Sequence, residues 1–103
     1  MKIEVRNGIG IKNIDATGQS LKGVSIKGLI NRLEIRCNGN IVYSFVNSEN
    51  LTEFSDNNVD VPLRGSIEIK LFASDGEYDV MLFLQPHTAL KSKAVYEDLK
   101  ARK

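Results

Sequence analysis

Apolar and polar residues alternate with a period of two along most of this chain, the pattern of strands that lay one face on a core and the other in water. Lys2 to Val5, Arg32 to Cys37, Ser66 to Leu71 and Val59 to Leu63 all follow it. A slip of one residue exchanges the faces, so each turn length can be checked against the pattern. Between Arg32 and Val46, a three-residue loop of Asn38, Gly39 and Asn40 sets Cys37 opposite Ile41, Ile35 opposite Tyr43 and Leu33 opposite Phe45. The other face then pairs Arg36 with Val42 and Glu34 with Ser44. A two-residue Asn-Gly turn would mix the faces, so the longer loop is expected. At the N-terminus, Arg6, Asn7 and Gly8 make a similar loop, with Val5 opposite Ile9 and Ile3 opposite Ile11. In the last third, Asp75-Gly76 suits a two-residue turn opposing Leu71 to Val80, Ile69 to Leu82 and Ile67 to Leu84. Met81 and Phe83 fall on the outer face of that second strand, which predicts that something covers them.

The remaining elements are shorter. Gly23 to Leu29 reads as a strand around Val24 and Ile26, with Gly23 and Gly28 as bulges or close packing points. Val59, Val61 and Leu63 form a short strand that Pro62 confines to an edge or a strand end. Asn47 to Asn58 reads as a long, acidic connection anchored by Leu51 and Phe54. Ser92 to Lys103 is the helix candidate, with Ser92 as cap and Val95 and Leu99 on one stripe. These elements predict an all-β fold: an antiparallel β-sandwich of seven or eight strands with a short C-terminal helix, in one domain over residues 1–103.

Composition narrows the function classes. With 42% hydrophobic and 26% charged residues, the chain is an ordinary globular domain. No apolar run approaches the roughly 20 residues of a spanning helix, so no transmembrane segment is expected. Met1 leads straight into charged alternation with no signal peptide visible, so the expected location is cytoplasmic, peripheral at membranes if it meets them. The single cysteine, Cys37, excludes an internal disulfide and reads as a core residue. A net charge of +1 argues against nucleic acid as a partner. Acids dominate from Glu49 to Asp79, whereas Lys22, Lys27, Arg32 and Arg36 gather bases in the first half.

Catalytic constellations are scarce. His87 follows Pro86 at a strand end with no nucleophile near it in sequence. There is no glycine-rich loop opening a helix and no zinc-ligand spacing, so neither an enzyme nor a cofactor is expected. Asp75, Glu77 and Asp79 are the most metal-like group, a calcium alternative that Asp15 joins only if its loop lies at the same end of the sandwich. The competing reading makes them turn and edge residues.

Leu63-Arg64-Gly65 leading into Ser66 to Leu71, then Asp79 to Leu84, then Gln85-Pro86-His87-Thr88-Ala89-Leu90, resembles the end of the C2 domain of the phosphatase and tensin homologue group, tensins and auxilins included. Tyr96 to Leu99 resembles the acidic segment that follows in that family. Ile26, Gly28 and Leu29, with Arg32 to Ile35 and Val42 to Ser44, resemble its earlier strands. The chain departs from the family at Ala73 to Tyr78, a short acidic turn where a basic membrane-touching loop is usual. The resemblance implies a non-catalytic C2-like module that docks to a protein partner or to anionic lipid headgroups without calcium; the chain's own outward bases, Lys22, Lys27, Arg32 and Arg36, are expected to form a basic sheet face for that docking. The alternative is a structural adaptor or self-assembling subunit that uses an exposed strand or an apolar patch.

Overall fold

The computed structural model describes residues 1–86. They form nine strands: β1 (Lys2–Val5), β2 (Ile9–Asp15), β3 (Gln19–Lys27), β4 (Ile30–Cys37), β5 (Asn40–Val46), β6 (Glu53–Asp56), β7 (Val61–Leu63), β8 (Ser66–Ala73) and β9 (Gly76–Pro86). One sheet runs β1-β9-β3-β6, with β7 also paired to β3; the other runs β2-β8-β4-β5. Every pairing is antiparallel. The expected helix at Ser92 to Lys103 and the His87 strand end lie outside the described residues.

The two sheets enclose one apolar cluster. Ile3, Val5, Leu21, Val24, Ile26 and Val80 line it from the first sheet, and Leu33, Ile35, Cys37, Ile67, Ile69 and Leu71 from the second. Cys37 is buried there, as its place in the alternation predicted. Burying side chains of this size stabilises the fold by about 1.5–3 kcal/mol each, which makes the inward register of these strands costly to change.

Two expected hairpins are corners instead. β1 pairs with β9 and β2 with β8, so the backbone pairing between β1 and β2 is reduced to a bridge from Arg6 to Ile9 around a two-residue Asn7-Gly8 turn. Gly10 sits inward, where a Cβ would stand 2.7 Å from the Glu4 carbonyl oxygen and 2.8 Å from Ile3 Cγ2. Its missing side chain leaves room for Ile3 and Val5, and turns Ile9 and Ile11 outward into solvent. Likewise β8 and β9 are not hairpin neighbours: β8 lies between β2 and β4, and β9 between β1 and β3. Leu71 and Val80 do share the core, but from facing sheets. Alternation reports which side chains reach the core; it is silent on which wall they belong to.

The β4–β5 hairpin forms, with Leu33 opposite Phe45, Ile35 opposite Tyr43 and Glu34 opposite Ser44 as expected. Its loop is shorter than expected: Cys37 pairs with Asn40 and Arg36 with Ile41 around Asn38 and Gly39, both at positive φ. Val42 is the extra residue of a bulge: it packs against the core, exposed Ile41 takes the place expected for it opposite Arg36, and the expected faces return from Tyr43 on. Pro62 lies in a three-residue edge strand, and a register shift falls between Leu21 and Gly23. Asn47 to Asn58 is less of a loop than expected, because β6 pairs there with β3. Phe54 anchors it, stacked on Phe45 with ring centroids 3.7 Å apart, while Leu51 is exposed.

Candidate partner-docking surface

The four expected basic residues do not share a face. Lys22 occupies the bulge of β3, its Nζ 2.8 Å from Asp60 Oδ1. Lys27 ends the same strand between Asp79 on β9 and Glu53 on β6, beside a depression of about 310 Å³. Arg32 and Arg36 belong to β4, in the opposite sheet. There they flank Glu34: Arg36 Nη2 lies 3.1 Å from Oε1, and Arg32 pairs with the other carboxylate oxygen. Glu34 points outward in the alternation yet is only 3% exposed, lodged between both arginines and opposite Lys70. Long cationic stems cover it. The Arg-x-Glu-x-Arg spacing puts all three on one face and was the sequence signal for this cluster. Each basic site is thus partnered or faced by an acid.

Two of the three acids at the Asp75 turn, Asp75 and Asp79, are similarly engaged. Asp75 Oδ1 accepts the Gly8 amide at 3.0 Å, Asp79 lies 3.6 Å from the N-terminal ammonium, and Glu77 stands opposite Glu4. Asp15 is at the far end of β2 from Gly8. Its Oδ1 accepts the Thr17 hydroxyl at 2.7 Å and the Thr17 amide at 3.0 Å, which together hold its carboxyl below the usual range. Asp15 therefore does not join Asp75, Glu77 and Asp79. Among the described residues, no group of three or more histidine, cysteine, aspartate or glutamate side chains could hold a metal ion. No helix among them is long and apolar enough to cross a membrane.

Met81 and Phe83, expected to be covered, are 54% and 42% exposed. The Phe83 ring lies over Gly23, whose absent side chain makes room for it. On the outer face of the other sheet, Ile9, Phe72, Arg32 and Val46 form one cross-strand row, with Arg32 over the Phe72 ring at 5.8 Å. That row ends at β5, which has no strand on its outer side among the described residues.

β5 reads Asn-Ile-Val-Tyr-Ser-Phe-Val: no charge, no proline, and five β-branched or aromatic residues. The Asn47 amide donates to the Asn31 carbonyl at 2.9 Å, so by antiparallel alternation Phe45 and Tyr43 also bond toward β4, and the amides of Val46 and Ser44 point away from it. Among the described residues, no backbone group pairs with those amides. Asn47 Nδ2 donates to the carbonyls of Ile30 and Leu51, and its Oδ1 accepts the Leu51 amide, which draws the connection back toward the β4 side. The strand is held from within by the Phe45–Phe54 stack and by Tyr43, whose hydroxyl donates to Asp56 Oδ2 at 3.0 Å. Sequence reasoning missed this edge, because β5 was paired correctly with β4 while nothing local says whether a further strand follows.

No family model matches this chain, and no curated protein sequence matches it.

Proposed function

We propose that the chain is a non-catalytic, C2-like binding module that docks a protein partner by accepting an extended segment along the open edge of β5. The single observation that carries this reading is the uncharged edge whose Ser44 and Val46 amides point outward from a strand held in place by Phe54 and Asp56. Strand addition supplies main-chain hydrogen bonds, and side-chain pockets along the edge select the partner. The two antiparallel sheets are compatible with a C2-like architecture. An anionic lipid surface is the less favoured ligand, since Lys22 and Lys27 lie on one sheet and Arg32 and Arg36 on the other, with acids alongside.

Selection from a displayed library of extended peptides tests the proposal, with Val46→Pro as the comparison, since proline removes one outward N–H at the strand end. The wild-type chain is expected to enrich peptides rich in β-branched and aromatic residues, and the Val46→Pro chain to lose them while melting normally. Enrichment indifferent to Val46→Pro overturns the reading. So does sedimentation with phosphatidylserine vesicles, but not phosphatidylcholine vesicles, in a chain that selects no peptide.

A further inference from the structure

Resting on this strand-addition reading, we infer that the partner segment β5 accepts is acidic: it carries a carboxylate side chain opposite Ser44, between β-branched or aromatic neighbours. The regular stretch of β5 beyond the bulge is Tyr43 to Val46. Its open main-chain groups are the Ser44 amide and carbonyl and the Val46 amide, because the Val46 carbonyl accepts the Ser48 amide at 3.1 Å. Three backbone bonds hold any extended segment, so the side chains beside the edge must do the selecting. Tyr43 and Phe45 turn inward onto Asp56 and Phe54 and favour aromatic or β-branched residues opposite them. On the outer face, Ser44 leaves a gap between the larger, exposed side chains of Ile41 and Val46.

That gap faces an excess of positive charge. Lys70, Glu34 and Ser44 form one cross-strand row, and the next place in the row belongs to the partner residue opposite Ser44. Arg32 and Arg36, from either side of this row, both lean into it and take the two oxygens of Glu34. Their side chains are 47% and 38% exposed, while the carboxylate between them is only 4% exposed, so the surface presented to a partner is cationic. Three bases, Arg32, Arg36 and Lys70, stand there with two acids, Glu34 and Glu68, and β5 adds no charge. Each guanidinium has five N–H donors, more than one shared carboxylate can use. The partner position lies about 10 Å from Glu34 at Cα, one antiparallel pair beyond Ser44. An arginine and a facing carboxylate close that span between them across the short serine side chain. A lysine there would add a like charge, and a neutral residue would leave the spare donors to water. Lys27, set between Asp79 and Glu53 on the other sheet, has no such excess.

Two displayed libraries of short peptides test this, with the central residue fixed as glutamate in one and glutamine in the other, and the flanks drawn from β-branched and aromatic residues. The wild-type chain should recover the glutamate library about tenfold over the glutamine library at low salt, and by less at high salt. Glu34→Gln frees both guanidiniums and should widen that preference. The combined variant Arg32→Gln/Glu34→Gln/Arg36→Gln removes all three charges together and should abolish it, with a cooperative melt showing that the chain still folds. Equal recovery of the two libraries by the wild type overturns the carboxylate assignment, and so does a preference that Glu34→Gln leaves unchanged. If both libraries are recovered equally and both are lost on Val46→Pro, strand addition survives and only the partner's chemistry is wrong. If neither library is recovered, the edge is not a docking site.

Discussion

Tyr43→Phe removes one oxygen atom and the hydrogen bond that ties β5 to β6 across the flank of the sandwich. The Tyr43 hydroxyl donates to Asp56 Oδ2 at 3.0 Å, while Asp56 Oδ1 separately accepts the Asn58 amide at 2.9 Å. Asp56 keeps that second partner in the variant. A hydrogen bond to a charged acceptor contributes about 1.5–3 kcal/mol when buried, and the half-buried setting reduces this to about 1 kcal/mol. In a domain of this size, that loss lowers Tm by about 4–8 °C. Alkaline pH provides a second signature. Burial pushes the Tyr43 phenol far above its ordinary value of 10.0, and the hydrogen bond to Asp56 and its negative charge act the same way. The folded chain therefore holds a proton that the unfolded chain releases above pH 10. This contribution is fully present below the unfolded pKa and falls as pH rises, by at most about 1.4 kcal/mol per pH unit. Screening at this partly exposed site reduces the total to about 1 kcal/mol between roughly pH 10 and 11.5. Urea unfolding of both chains across this range should show the wild type more stable at neutral pH and the gap closing as pH rises. Equal stability at neutral pH, or parallel curves through the alkaline range, would refute the reasoning.

Gly10→Ala sets a methyl group against the Glu4 carbonyl and Ile3 in the β1–β2 corner and should cost about 1–3 kcal/mol by scanning calorimetry. Phe54→Ala removes the half-buried ring stacked on Phe45, and chemical unfolding should show a loss of about 2 kcal/mol. Glu34→Gln leaves Arg32, Arg36 and Lys70 close together without their acid. Because both arginines are partly exposed and can rehydrate, the cost should be about 1–2 kcal/mol in denaturant melts at low salt and should shrink at high salt.

The strands were legible because burial imposes a period of two, and Leu33, Ile35, Ile67, Ile69, Leu71 and Val80 all reach the core as their positions predicted. The corners were not. An Asp-Gly or Asn-Gly pair reverses the chain equally well within one sheet or between two, so Leu71 and Val80 could be cross-strand neighbours or opposite walls with the same pattern. At Asn38-Gly39, turn chemistry and face alternation gave different loop lengths, and a bulge satisfied both. The basic residues illustrate a similar limit. Lys27 and Arg32 are close in sequence, but the connection between β3 and β4 passes from one sheet to the other, so they lie on opposite outer faces.

The exposed borders of the two sheets differ in how they discourage unwanted pairing. β1 carries Lys2 and Glu4, β2 carries Lys12 and Asp15, and β6 carries Glu53 and Asp56. β7 is three residues long and contains Pro62, while the free stretch of β9 ends in Pro86. Charges, brevity and proline are the usual means of blunting an edge. β5 has a bulge at Val42 and none of the others along Tyr43 to Val46. An unprotected strand of high β-propensity invites aggregation unless it has a closed, saturable use. An extended partner segment added along β5 provides one, because once it is seated the edge is no longer available to a further chain.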